Sequence, residues 1–187
     1  MLNTKSLCFA LLALTLSILT ACTPNSKSNS TPEQLSPQTV GIYDSRAIAI
    51  AYAGSPKHEQ LLKSKREQLK KAEATGNQQK VEQAKQKFRQ MQKQLHFQGF
   101  GTASVQNILD QYPQKLQALK TQLNLTHIIS KWDTTTLDQY PNAKQVNITI
   151  PLIDILNPKP KQRKYAIQIL NQKPIPNSRL GKLPVHD

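Results

Sequence analysis

Four histidines, eleven acids and two cysteines are the side chains with which this chain could make and break bonds. The histidines, at 58, 96, 127 and 186, are scattered. His58 and His96 would meet only at the base of two neighbouring helices, and no carboxylate or cysteine joins them at metal-ligand spacing. Asp44, Asp110, Asp133, Asp138 and Asp154 form no pair suited to general acid–base work. Asp44 stands directly before an apolar helical pattern, so it reads as a helix cap rather than a base. The chain has no phosphate-cradling glycine loop and no nucleophile elbow. The expectation is a protein that is not an enzyme, with no cofactor and no metal.

The cysteines belong to a different chemistry. Lys5 precedes an apolar run from Leu7 to Ile18, which ends in Leu19-Thr20-Ala21-Cys22. A short positive region and an apolar stretch of this length read as a secretory signal, too short to span a bilayer comfortably. The four residues LTAC resemble the bacterial lipobox; the alternative is an ordinary signal peptide with a chance cysteine. The resemblance implies cleavage after residue 21 and lipidation of Cys22. Cys8 then falls in the removed part, and the mature domain has no thiol for a disulfide, a nucleophile or a zinc site. Thr23, not Asp, follows Cys22. By resemblance to bacterial lipoproteins this implies an outer-membrane lipoprotein facing the periplasm, held to the membrane by its lipid anchor. Export removes nucleic acid as a partner. The sequons at Asn124 and Asn147 carry no meaning in that setting.

These elements must carry whatever function the chain has. Residues 22–38, with three prolines among Ser, Thr, Asn and Gln, read as a flexible tether spanning on the order of 20–25 Å. Val40 to Tyr43 is a strand candidate, and Asp44 caps a helix through Ala47, Ile48, Ala51 and Tyr52. Ser55-Pro56 is a good helix start, predicting a helix to about Ala74. Gly76 breaks it, and a second helix is expected over about 77–97, before Gly99-Phe100-Gly101. The two make a helical hairpin over about 56–97, roughly 30 Å long at 1.5 Å per residue. Pro113 splits or starts a helix in the region from Val105 to Leu123. His127 to Trp132 reads as a strand, 134–143 as loop, and Val146 to Ile150 as a strand or a strand entering a helix. Residues 158–187, with five prolines and seven Lys or Arg, read as a mostly extended basic tail, with Lys164 to Leu170 as a possible ordered patch.

The formal charge of +14 is localised. Residues 57–97 hold eleven Lys or Arg against four Glu, a net +7, and the tail holds seven against one, a net +6. The expected hairpin core is Leu62 and Leu69 facing Val81, Ala84, Phe88, Met91 and Leu95, whose steps of 3, 4, 3 and 4 mark a coiled-coil seam of about two heptads. Such a seam suits packing within one hairpin, with a partner-contacting face as the alternative. Lys85, Lys87, Arg89 and Lys93 form the outer basic face of this arm, either merely solvated or a client- or partner-binding surface.

Three segments carry a family resemblance. VGIYDSRAIAIAY resembles the opening strand, Asp and short helix of the Skp/OmpH family of periplasmic chaperones. LQALKTQLNLTHIISKWD resembles its returning helix and strand, and KQVNITIPLIDIL its closing segment. The resemblance covers about 39–157. It implies an α+β fold, a small β body with a projecting antiparallel helical hairpin, assembled as a homotrimer. The implied function is a membrane-tethered holdase chaperone for unfolded or acidic envelope polypeptides. The alternative is a non-catalytic structural or adaptor lipoprotein scaffolding a cell-envelope complex. The hairpin is short for the family, and the basic tail has no family counterpart.

Overall fold

The computed structural model describes residues 38–181. The signal peptide, Cys22 and all of the tether but its last residue lie outside the described residues. The sheet has three strands, β1 (Thr39–Tyr43), β2 (His127–Ser130) and β3 (Lys144–Asn147), all parallel, in the order β2-β1-β3. Gly41 stands opposite Ile128 on one side and Val146 on the other. A Cβ on Gly41 would lie 2.6 Å from Ile148 Cδ1 and 2.9 Å from Leu125 Cδ1, so a bare backbone lets the core close over the central strand.

The chain passes from β1 straight into α1 (Ser45–Ala53), whose N-cap is Asp44, accepting from the Arg46 backbone N–H. Apart from Arg46 and two Ser/Tyr hydroxyls, α1 is wholly apolar, SRAIAIAYA, and seven of its nine residues are buried. A helix apolar all round must be covered all round. The sheet alone cannot do that. The chain uses α3 (Gln78–Phe100), α7 (Thr149–Leu156) and α8 (Pro160–Gln168), and each packs on α1. Short helices α4 (Gln106–Leu109) and α5 (Pro113–Gln122) add Ile108, Leu109 and Leu119 to the same core, with Pro113 opening α5. A one-turn helix, α6 (Thr134–Leu137), interrupts the expected loop.

This arrangement corrects the expected small β body with a projecting hairpin. The protein is α+β overall, but 65% of the described residues are helical and the sheet is small, and its core is built on a central helix. Helices α2 (Pro56–Ala74) and α3 do pack on each other across a turn at Gly76, whose φ is +64°. Yet α3 belongs to the body as much as to that pair. It does not stop at Phe97 but continues to Phe100, because its last turns are anchored. Gln98 is buried and donates to the Ser104 carbonyl (2.7 Å) and to Asn107 Oδ1 (2.6 Å), while Gly99 is buried against Ile50 of α1.

Gly99 gives a simple prediction. A Cβ there would meet Ile50 Cγ1 at 3.5 Å and Ala49 Cβ at 3.9 Å, ordinary contact distances. Glycine inside a helix costs about 1 kcal/mol relative to alanine. Gly99→Ala is therefore expected to raise stability by about 0.5–1 kcal/mol in urea denaturation. A loss instead would mean that α1 and α3 approach more closely than these distances.

The mostly extended reading of 158–187 is also corrected. Residues 160–168 are α8, 169–171 a 3₁₀ turn and 177–180 α9 (Asn177–Leu180). Pro160 serves as a helix first-turn residue rather than a breaker. Ala166 is fully buried, and Ile169 and Leu180 nearly so. The prolines punctuate short packed elements here. Residues 182–187 lie outside the described residues.

Candidate functional site

Two constellations of charge stand out among the described residues. The first is buried at the carboxyl ends of the three strands. Asp44 leaves β1 with its backbone N–H on Thr149 Oγ1 (3.1 Å). Its carboxylate takes Arg46 Nε (3.1 Å) and Nη2 (2.7 Å), Lys131 Nζ (2.8 Å) and the Trp132 indole N–H (3.2 Å), besides the α1 cap. Arg46 spends its remaining Nη1 on the Gln172 carbonyl at 2.8 Å. Asp44 and Arg46 are each 1% exposed. Burial pushes the Asp44 carboxyl up. The hydrogen bonds and charges of Arg46 and Lys131 outweigh that and hold it below the usual carboxylate range. A carboxylate this occupied has no lone pair free to act as a base. The network is a tie that joins β1, the ends of β2 and β3, and the C-terminal segment.

The second constellation lies between α2 and α3. Lys65, Arg66 and Leu69 from α2 and Glu82, Lys85, Phe88, Arg89 and Gln92 from α3 line an open cavity of about 570 Å³. The helix periodicity brings these residues together: 65, 66 and 69 share one face of α2, while 82, 85, 88/89 and 92 follow the three- and four-residue steps of α3. Leu69 and Phe88 supply an apolar floor. The rim carries four cations and one acid, Glu82, which pairs with Arg89. The Gln92 side-chain oxygen is buried with no hydrogen-bond partner among the described residues. An apolar floor, a cationic rim and an open amide acceptor suit a polypeptide segment carrying carboxylates.

The expected site residues divide between this cavity and its surroundings. Lys85 and Arg89 line it, whereas Lys87 and Lys93 are exposed outside it, with Lys93 Nζ 6.0 Å from the Phe97 ring centre. Of the expected hairpin core, Val81 is buried, while Leu62, Leu69, Ala84, Phe88, Met91 and Leu95 are half-buried, Leu95 also packing on the body core. The α2 contribution, Lys65 and Arg66, is not singled out by sequence. In the sequence Lys65 stands between Leu62 and Leu69, where the apolar pattern of α2 would place another apolar residue.

Phe88 faces this cavity rather than a sealed core. Phe88→Ala is accordingly expected to destabilise the protein by about 1–2 kcal/mol, below the 3–5 of a fully buried ring. Urea denaturation measures this, and a loss above that range would place the ring in a closed core.

The histidines do other work. His58 is buried in the first turn of α2, 5.0 Å from the Tyr52 ring, and burial holds its imidazole below its ordinary range while Glu59 pulls the other way. His96 stands edge-on to Phe100 at 5.9 Å, and His127 reaches the Tyr140 hydroxyl at 3.0 Å. Among the described residues no group of three or more His, Cys, Asp or Glu side chains is placed to hold a metal ion. No helix of the described residues is long and apolar enough to cross a membrane. Comparison with protein-family models, curated proteins and solved structures finds no match.

Proposed function

We propose that this chain is a non-catalytic polypeptide-binding protein of the bacterial envelope. It holds non-native or acidic envelope polypeptides on the α2–α3 face. The cavity between those helices carries the reading: four cations ring an apolar floor of Leu69 and Phe88. Cations speed encounter with acidic chains, and an apolar floor retains them. In this proposal Cys22 bears the lipid, and the protein works at the outer membrane facing the periplasm. The homotrimer belongs to this proposal as what the resemblance to the Skp/OmpH chaperones implies, although the helix-centred core departs from the fold implied by that resemblance.

The test is suppression of aggregation of several unfolded, acidic envelope proteins, followed by light scattering. Wild type is expected to suppress it at near-stoichiometric amounts, more weakly at high salt. Lys65→Glu with Lys85→Glu is expected to reduce affinity by about tenfold, as each like-charge juxtaposition opposes an acidic client. Unchanged suppression by that double variant would overturn the α2–α3 assignment. Binding of one folded partner with no effect on unfolded chains would favour the adaptor reading. Light scattering of the protein alone tests the trimer.

A further inference from the structure

Four large apolar side chains are exposed among the described residues: Phe100, Ile150, Tyr165 and Ile175. Two of these four lie together. Phe100 and Tyr165, 39% and 46% exposed, are on the rim of an open cavity of about 270 Å³ lined by α1, α3 and α8. The segment after α8 is tied to this rim by the Ile175 backbone N–H, which donates to the Phe100 carbonyl at 2.8 Å. The walls are Ile50 and Ala53 of α1 and Leu95 of α3. Single exposed apolar residues need no explanation, but a cluster around a concavity marks an interaction site. At just under the range of about 300–1,000 Å³ typical of small-molecule sites, the cavity is sized for one large side chain.

The charge around it is one-sided. Helices α1, α3 and α8 together contain a single acid, Glu82, already paired with Arg89 at the far end of α3. The same helices carry Lys93, Lys161 and Lys164 as exposed cations. Lys161 Nζ lies 5.8 Å from the Tyr165 ring centre, so a cation borders the apolar rim directly. The acids nearest α8 in the chain's packing are taken: Glu59 pairs with Lys159, and Asp154 with Arg163 at 2.8 Å.

We infer that the α1–α3–α8 cavity is a second docking site, which takes an aromatic or large aliphatic anchor residue of a polypeptide partner, flanked by carboxylates. The inference rests on the polypeptide-binding reading for the class of partner, but on different residues and a different surface. The apolar anchor enters between Ile50, Leu95 and Phe100. Its acidic neighbours meet Lys161 and Lys93. The site exists only because the C-terminal segment folds as a helix and supplies Tyr165 as one wall.

The experiment is fluorescence anisotropy of the full-length protein with a labelled peptide holding one Phe between pairs of Glu, and with its Phe→Ala and Glu→Lys versions. Tyr165→Ala combined with Phe100→Ala truncates two side chains that are 46% and 39% exposed, and circular dichroism checks that the fold is kept. This variant is expected to weaken the Phe-Glu peptide by about tenfold. The Phe→Ala and Glu→Lys peptides should lose a similar factor on wild type. The same titrations are run in the Lys65→Glu/Lys85→Glu background, where the α2–α3 cavity no longer competes for the acidic peptide, and the roughly tenfold loss on Tyr165→Ala/Phe100→Ala should persist there. That last result separates the two sites, so failure of aggregation suppression would not decide this proposal. Equal binding of all three peptides, or no effect of the Tyr165/Phe100 variant, would overturn it. So would self-association of the wild type that the variant abolishes, which makes a second copy the occupant. Tightening by more than about tenfold on removal of residues 182–187 would make this chain's own terminus the occupant instead.

Discussion

Asp44→Asn is expected to cost about 3–5 kcal/mol of folding stability near neutral pH. The carboxylate balances Arg46, whose guanidinium is 1% exposed, and it also pairs with Lys131 at 2.8 Å. Asparagine keeps one acceptor, so the α1 cap survives in part, but it leaves a buried cation without its counter-charge. Leaving a buried charge unpaired costs more than the pair itself contributes. Asp44→Leu with Arg46→Met is therefore expected to be less damaging than Asp44→Asn alone. Urea denaturation of wild type, Asp44→Leu, Arg46→Met and the double variant measures the coupling, with Asp44→Asn measured alongside. A wild-type midpoint for Asp44→Asn would mean the network contributes nothing.

The same carboxylate sets a pH dependence. Its pKa is lowered in the folded protein, so the folded state holds its proton less tightly than the unfolded chain does. Its contribution is fully present above the unfolded value of about 3.9. It declines as the pH falls below that value and is gone once the pH has passed the lower folded value. Asp44→Asn should flatten the acid limb of the stability curve. An acid limb identical to wild type would assign the acid sensitivity to other groups.

Ending the chain after Asn157 is expected to abolish cooperative folding. Deletion strips Ala166, Ile169 and Leu180, all buried, from the body, along with half-buried Ile167 and Leu170. Each large aliphatic side chain contributes about 1.5–3 kcal/mol by burial. The sum rivals the 5–15 kcal/mol that stabilises an ordinary domain. Arg46 also loses the Gln172 carbonyl. The bases of both α2 and α3 lose contacts: Lys159 N–H bonds the Gly54 carbonyl (3.0 Å) just before α2, and Ile175 N–H bonds Phe100 at the end of α3. A Cβ on Gly54 would lie 2.4 Å from Gln162, which shows how closely α8 crosses that turn. Thermal melting and amide exchange measure the outcome. A truncated protein with a sharp transition and a protected α1 would show that α8 merely rests on a finished fold.

The caps and turns were legible in the sequence because their causes are local. Asp44 and Ser55 each accept a backbone N–H at the start of α1 and α2, and Gly76 adopts the positive φ that its turn needs, whereas the Asn77 cap of α3 is not singled out by sequence. The apolar steps of α3 put Val81, Ala84, Phe88, Met91 and Leu95 on one buried to half-buried face, since a 3.6-residue period depends on neighbours in the chain, but Phe88 opens onto the cavity and Leu95 also packs on the body core. What a seam faces is not local. The α1 sequence is apolar on every side, which says that it is covered but not by what. Lys65 and Arg66 joined Lys85 and Arg89 only when α2 was laid along α3. Asp44 met Lys131, Trp132 and Thr149 only when β2 and β3 flanked β1, since those partners are 87 to 105 residues away in the chain.

The C-terminal segment shows the division most clearly. Its prolines and lysines have little reason to fold by themselves, and propensity alone reads them as extended. The charge and the starts of α1 and α2 follow from the sequence by itself. The packing of distant elements settles that 160–180 folds, because the bare apolar surface of α1 needs a cover and Ala166 and Ile169 supply it, while Leu180 packs at the end of α3. Burial against a distant element outweighs local preference whenever the area removed from water offsets the entropy of ordering the chain.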